Sequence, residues 1–304
     1  MDRVVVVTKP TRLEELIREH LTEGMAQFFL ESKDDSIAPY RDEHTTYQDA
    51  LTAVRRQIPN DLVVTTVSRS DLPTFLFRDD DLVIVCGPDG LFVNLAQYVT
   101  NQLVLGVNPD PDSIAGNLMP FEPTQVGDVI TRVKNDKYLV EDLPFVKATT
   151  SDDKVVWGIN DIFIGRRDHI SARYKIAFGS REERHSSDGV IVSTGIGTNG
   201  WLRSIVAMVD GLIPERGCHL LRQLPNPTDL ELVFVVRDPF PSPTTGATIV
   251  TGRVVAGIPL RLSSEMPKGG VIFSDGIVEK GVDWPAGSTA TITVGERVVH
   301  RLIR

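Results

Sequence analysis

The chain has 304 residues, 41% of them hydrophobic and 24% charged, with a formal net charge of −9 at pH 7. That length and balance suit a globular protein with one large core or two smaller ones. The acidic excess argues against general nucleic-acid binding but leaves room for a local site that takes a small anion.

Two cysteines, Cys86 and Cys218, are too few for a disulfide framework or a cysteine-rich zinc cluster, and they suit a reducing cytosol. No apolar stretch approaches the roughly 18 residues that a bilayer span needs. The start, MDRVVVVTKP, lacks signal-peptide architecture, so a cytoplasmic protein with no membrane partner is expected.

Residues 3–8, RVVVVT, read as a buried strand. Thr11 and Glu14 have capping-box spacing, and Leu13, Leu16, Ile17 and Leu21 follow at helical intervals. A second amphipathic helix is predicted over 45–58. Strands are predicted at 61–67, 81–85 and 102–108, with a helix at 91–99 between the last two. Alternation of this kind predicts a doubly wound α/β unit. From about residue 122 short β-rich runs dominate: VGDVITRV, KVVWGINDIFIG, ARYKIAFG, GVIVSTG, LELVFVVRDPF, ATIVTGRVV, GVIFSDGIVE and STATITVG. One helical stretch, 199–212, interrupts them. The expected organisation is an α/β N-terminal domain over 1–122, a mostly β domain over 123–285, and a C-terminal segment, 286–304, that packs back on the first domain.

The strand DLVIV runs into CGPDG (86–90). In an open α/β sheet, ligands bind outside the carboxyl ends of the strands. Gly87 and Gly90 free the backbone there, and the amides of a following helix favour an anion. Asp89 fits two jobs in such a place: organising a metal ion, or accepting a proton from an attacking hydroxyl. The same residues also fit a Pro-Asp-Gly turn with Asp89 capping the helix.

Asn160 and Asp161 follow an apolar run and offer donor and acceptor groups suited to ribose hydroxyls, or they form a turn between two strands. In DGVIVSTGIGTNGW (188–201) a strand enters a glycine-containing loop and then a helix. Backbone amides there, with Thr194, Thr198 or Asn199, could reach a nucleotide. Trp201 either stacks on a base or belongs to the core. Residues 166–184 hold six arginines and lysines against three carboxylates, a phosphate-facing patch or a solvated strand and loop. His185 lies beside Ser186, Ser187 and Asp188, but a hydrolytic triad draws its members from distant positions and no Gly-x-Ser-x-Gly elbow is present. His20, His44, His169, His219 and His300 show no metal-ligand spacing.

The order of these motifs resembles the NAD kinase family. CGPDG (86–90), GVN (106–108), ND (160–161), DGVIVSTGIGTNGW (188–201) and GGVIFSDG (269–276) stand where that family has its Gly-Gly-Asp-Gly-Thr turn, its Gly-(Val/Ile)-Asn strand end, its Asn-(Glu/Asp) pair, its Ser-Thr-Gly segment and its late Asp-Gly turn. GVNPDPDSIAGNLMPF (106–121), SSDGVIVSTGIGTNGW (186–201) and RDP (237–239) are similar to the mitochondrial-type branch. The resemblance implies the NAD kinase/diacylglycerol kinase-like two-domain architecture. It also implies transfer of a phosphoryl group from ATP, another NTP or polyphosphate to the adenosine 2′-hydroxyl of NAD, with Mg²⁺ or Mn²⁺, in a homodimer or homotetramer.

By the resemblance Asp89 is the base and Asn160 and Asp161 hold the adenosine ribose. Asp188 contacts the nicotinamide side. Gly87, Gly90, Arg173, Thr194, Gly195, Gly197, Thr198, Asn199 and Trp201 line the nucleotide. Three positions depart from the family pattern. Pro88 removes an amide donor, while Leu91 and Ile196 each stand where the family has a hydroxyl. Those departures motivate a second reading, a non-catalytic dinucleotide-binding homologue. A lipid kinase of related fold is a third. The Asn-Asp pair, the Ser-Thr-Gly segment and the lack of a membrane-docking helix stand against it.

Overall fold

The computed structural model describes residues 1–212 and 224–304; Cys218 and His219 lie outside the described residues. The chain divides into two compact units, Met1–Glu141 with Val299–Arg304, and Asp142–Val298.

In the first unit four apolar runs become the parallel strands of an α/β layer. In chain order they and their helices are β1 (Arg3–Thr8), α1 (Arg12–His20), α2 (Glu23–Glu31), α3 (Ala38–Gln57), β2 (Val63–Ser68), β3 (Leu82–Cys86), α4 (Asp89–Ala96), β4 (Leu103–Val107) and α5 (Val126–Lys134). The strand order is β2-β1-β3-β4, and every pairing is parallel. All five residues of β3 are buried, as a parallel strand covered on both faces requires. The Thr11–Glu14 capping box opens α1 as expected. The stretch 126–133 was expected among the β runs, but it is the helix α5. Its buried residues, Val126, Val129, Ile130 and Val133, recur at helical spacing and pack with β1, β3, β4 and α3 in one core. The first unit accordingly runs to Glu141, later than the boundary expected at 122, and its return segment is Val299–Arg304 rather than all of 286–304.

In the second unit the chain turns mostly to strands. These are β5 (Leu139–Thr150), β6 (Val155–Gly158), β7 (Asp161–Arg166), β8 (Ala172–Phe178), β9 (Arg181–Ser187) and β10 (Val190–Ser193), followed by the helix α6 (Trp201–Leu212). After it come β11 (Leu232–Val236), β12 (Thr251–Val254), β13 (Leu260–Ser264), β14 (Gly270–Ser274), β15 (Ile277–Asp283) and β16 (Thr289–Ile303). β5 begins and β16 ends in the first unit. Six strands form a sheet in the order β12-β11-β10-β7-β14-β15, every pair antiparallel. A second antiparallel layer is built from β16, β13, β8 and β9. Both contribute to one core that includes Ile162, Ile164, Tyr174, Val192, Phe234, Leu262 and Trp284.

No helix among the described residues is long and apolar enough to cross a membrane.

Candidate functional site

The first unit presents Asp89 at the start of α4, one residue beyond Pro88, which occupies the N-cap in extended conformation. Asp89 does not cap the helix with its side chain. Its two carboxylate oxygens instead accept the backbone N–H groups of Asn117 (3.0 Å) and Leu118 (2.9 Å). A carboxylate oxygen has two acceptor positions, so each keeps one open. Nothing in CGPDG itself announces these partners, which come from the loop after β4. Gly87 donates its N–H to the Val107 carbonyl (3.2 Å), tying the turn to β4, and Gly90 is exposed. Leu91, where the family has a hydroxyl, is buried in the core. An apolar side chain suits that place.

The second unit gathers the Asn-Asp pair, the Ser-Thr-Gly segment and the late Asp-Gly turn. Asp275 lies at φ 52° in that turn, a left-handed conformation that aspartate tolerates. Its carboxylate accepts the N–H groups of Ile159 (3.1 Å), Asn160 (2.8 Å) and Asp161 (3.3 Å), while its own N–H donates to the Asp161 carbonyl (3.1 Å). Asp275 was legible only as part of a turn, and its hold on three successive amides is a finding of the structure.

Thr194 was expected as a nucleotide contact. It is fully buried, and its hydroxyl donates to the carbonyls of Ile159 (2.5 Å) and Asn160 (3.2 Å). Its side chain therefore braces the 159–160 backbone and is spent inside the protein. Gly195 and Gly197 are buried and needed for close approach. A Cβ on Gly195 would lie 1.9 Å from the Asn226 carbonyl oxygen, and one on Gly197 would lie 2.0 Å from that of Asn160. Ile196 is buried as well, which suits an apolar residue there. Thr198 turns its hydroxyl back to the Gly195 carbonyl (2.7 Å), and Asn199 beyond it is exposed.

Asp161 differs from all of these. It is 5% exposed, and its carboxyl has no hydrogen-bond partner among the described residues. Burial, and then the neighbouring Asp275 carboxylate, push it up to about 7. The carboxyl oxygens of Asp161 are not among the sealed, unpartnered polar atoms of the described residues, so a ligand hydroxyl can reach them.

Trp201 opens α6 and stacks on Phe163, with ring centroids 5.5 Å apart and planes at 17°. The Arg237 guanidinium lies over the indole at 5.3 Å and reaches Asp188 at 3.9 Å. Arg237 was legible only within RDP and Phe163 only within a β run; their contact with Trp201 is a finding of the structure. Aromatic and cationic neighbours together pack on the indole and hold its plane. Asp188 is thus brought beside Trp201. Arg173 is not: it stands exposed near the start of β8, in register with Ser186 of β9 in the other layer.

His185 is fully buried, and its Nε2 bonds Glu183 (2.8 Å). Burial would raise the Glu183 carboxyl, but the N–H of Ile249, His185 and the N–H and hydroxyl of Thr248 outweigh it and bring it down to about 2. The pair fastens β9 to residues 248–249, a structural role. Among the described residues no group of three His, Cys, Asp or Glu side chains could hold a metal ion.

No family model and no curated protein sequence matches the chain. Solved structures do. Yeast NADH kinase in complex with NADH aligns with a TM-score of 0.61 at 16% identity, over 99% of this chain and 83% of that one. An NAD kinase from Archaeoglobus fulgidus in complex with ATP aligns with a TM-score of 0.60 at 18% identity, over 99% and 93%. The α/β unit, the β unit and the order in which the chain builds them are those of this group: the protein has the two-domain fold of the NAD and NADH kinases.

Proposed function

We propose that the protein is an NAD kinase, transferring a phosphoryl group from a donor such as ATP or polyphosphate to the adenosine 2′-hydroxyl of NAD to give NADP. The observation that carries this reading is Asp161: a buried carboxyl without a partner, held on a backbone that Asp275 and Thr194 fix from two sides. A ribose hydroxyl donates the bond that Asp161 lacks, with Asn160 beside it. Trp201, held by Phe163 and Arg237, lines the dinucleotide side of the site.

Asp89 acts as general base. As the 2′-oxygen forms its bond to the donor's terminal phosphorus, the bond from that phosphorus to the bridging oxygen breaks. The shortened donor leaves with that electron pair, and the hydroxyl proton passes to Asp89. The amides of Asn117 and Leu118 fix the direction of the carboxylate. A divalent cation carried by the donor would neutralise phosphate charge. A cytoplasmic setting and a homo-oligomer complete the reading.

The test is NADP formation by purified protein from NAD with Mg²⁺ or Mn²⁺ and, in parallel, ATP, other NTPs or polyphosphate. Product with one donor supports the reading and identifies that donor. Saturable dinucleotide binding without product under every donor instead supports the non-catalytic homologue, which the loss of an amide at Pro88 favours.

A further inference from the structure

Arg301 lies near the end of β16, where that strand runs parallel to β4 with Arg301 in register with Val104. It is 7% exposed and belongs to the first unit. A guanidinium buried to that extent ordinarily has its donors satisfied. This one does not. Its Nη2 pairs with Glu141 and its Nη1 donates to the Asn117 carbonyl (3.0 Å), but its Nε is sealed from solvent with no partner among the described residues. Stability alone is a poor reason to bury it, because an apolar side chain of similar volume often serves as well as a buried ion pair.

What the guanidinium touches supplies a better reason. The Asn117 carbonyl and the Leu118 N–H are the two ends of one peptide group, and that N–H donates to Asp89 (2.9 Å). A peptide group is planar and stiff, so a bond at its oxygen fixes the direction of its N–H. A positive donor at the oxygen also polarises the group and strengthens the bond at its other end. The N–H of Asn117, on the preceding peptide, takes the second Asp89 oxygen (3.0 Å). The rest of the loop is anchored separately. A Cβ on Gly106 of β4 would lie 2.3 Å from the Leu118 carbonyl oxygen, and the Asn108 side chain donates to the Ile114 carbonyl (2.8 Å). Between those anchors the 117–118 peptide has Arg301 at its oxygen and Asp89 at its hydrogen. No motif marks Arg301, which stands 184 residues from Asn117 in the sequence.

We propose that Arg301 is a positioning residue for Asp89: acting through the 117–118 peptide, it sets the direction of the Asp89 carboxylate and holds it ready for the substrate hydroxyl. The inference rests on the kinase reading for the substrate, but the relay from guanidinium through peptide to carboxylate stands on its hydrogen bonds.

Amide hydrogen exchange tests the relay without turnover. It is followed at Asn117 and Leu118 in wild type, Arg301→Met, Arg301→Lys and Arg301→Gln, with no substrate present. Methionine fills much of the same volume, and Glu141, whose side chain is 31% exposed, keeps access to water when its partner is gone. Arg301→Met is expected to speed Leu118 exchange about tenfold or more, through loss of a charged hydrogen bond. Arg301→Lys keeps a cationic donor and stays within about threefold of wild type. Arg301→Gln, with a shorter and neutral donor, exchanges faster than Arg301→Lys, so the order can be read even if the methionine variant does not fold. In steady-state NADP formation Arg301→Met lowers kcat about tenfold or more and leaves the KM for NAD within about twofold. That loss disappears in an Asp89→Asn background, where the double variant stays within about twofold of Asp89→Asn alone, because both changes act on one carboxylate. An arginine with a merely structural role would add its cost there. Leu118 exchange as slow in Arg301→Met and Arg301→Gln as in wild type overturns the proposal, as do kcat losses that add in the double variant. Faster exchange in a protein that makes no NADP under any donor overturns the kinase reading and leaves the relay standing.

Discussion

The two units each present one aspartate of the proposed chemistry, in opposite electrostatic conditions. Asp89 in the first unit is partly exposed and receives two backbone amides. Asp161 in the second is buried, receives none among the described residues, and has Asp275 as its neighbour. A carboxylate that receives two amides is fixed in direction, as a base positioned to take a proton needs to be. A carboxyl denied partners is strained until a hydroxyl arrives, so it favours ligand binding. In the proposed function that difference suits the first to reaction and the second to recognition.

The largest effect expected is on Asp89. Asp89→Asn should lower NADP formation by about 10²–10⁴-fold, the range for a positioned base. It also turns an amide NH₂ toward the N–H of Asn117 or Leu118, so the 116–118 loop should loosen by about 1–3 kcal/mol. Thermal unfolding followed beside steady-state kinetics separates the two losses. Turnover above about a tenth of wild type would remove Asp89 from the base role.

Asp161→Asn should do the reverse to stability. The raised carboxyl means that the folded protein binds a proton the unfolded chain has released between about pH 4 and 7. Stability therefore falls as pH rises through that window, by at most about 4 kcal/mol before relaxation. Asparagine removes that penalty, so the variant should melt higher than wild type at pH 8, with little difference at pH 4. Its NAD affinity should drop about tenfold or more, because the charged acceptor is gone. A melting difference that does not change with pH would contradict the burial argument.

Gly197→Ala probes the scaffold under Asp161. The new methyl meets the Asn160 carbonyl oxygen, so the 159–161 segment must shift, and NAD binding should weaken by more than Asp89→Asn weakens it. Equal binding in the two variants would show that the segment does not place the ribose. The smallest effect belongs to Trp201→Ala, which removes one stacking surface. It should raise the KM for NAD severalfold, in line with about 0.5–1.5 kcal/mol for an aromatic pair, and leave kcat unchanged.

Much of this was legible in the sequence because the chemistry is local. The parallel strands announced themselves as apolar runs, and Thr11 and Glu14 announced α1. Asn160 and Asp161 stood out as polar residues at the end of an apolar run. The stretch 126–133 misled because five of its eight residues are β-branched and suggest a strand, whereas the spacing of Val126, Val129, Ile130 and Val133 is helical; burial of that face decided the matter. What the sequence could not show is who answers each carboxylate. The amides that hold Asp89 come from 28 and 29 residues away, and the carboxylate that holds Asn160 comes from 115 away. Thr194 looked like a ligand contact for the same reason: its hydroxyl partner, Ile159, is 35 residues distant.

The most direct test of this division of labour is the pH dependence of kcat and of KM for NAD in wild type, Asp161→Asn and Asp89→Asn. The account predicts that the wild-type KM falls as pH rises through about 7, that Asp161→Asn raises KM and abolishes that pH dependence, and that Asp89→Asn lowers kcat and preserves it. A pH-dependent KM that survives in Asp161→Asn, or a kcat lost there to the same extent as in Asp89→Asn, would contradict it.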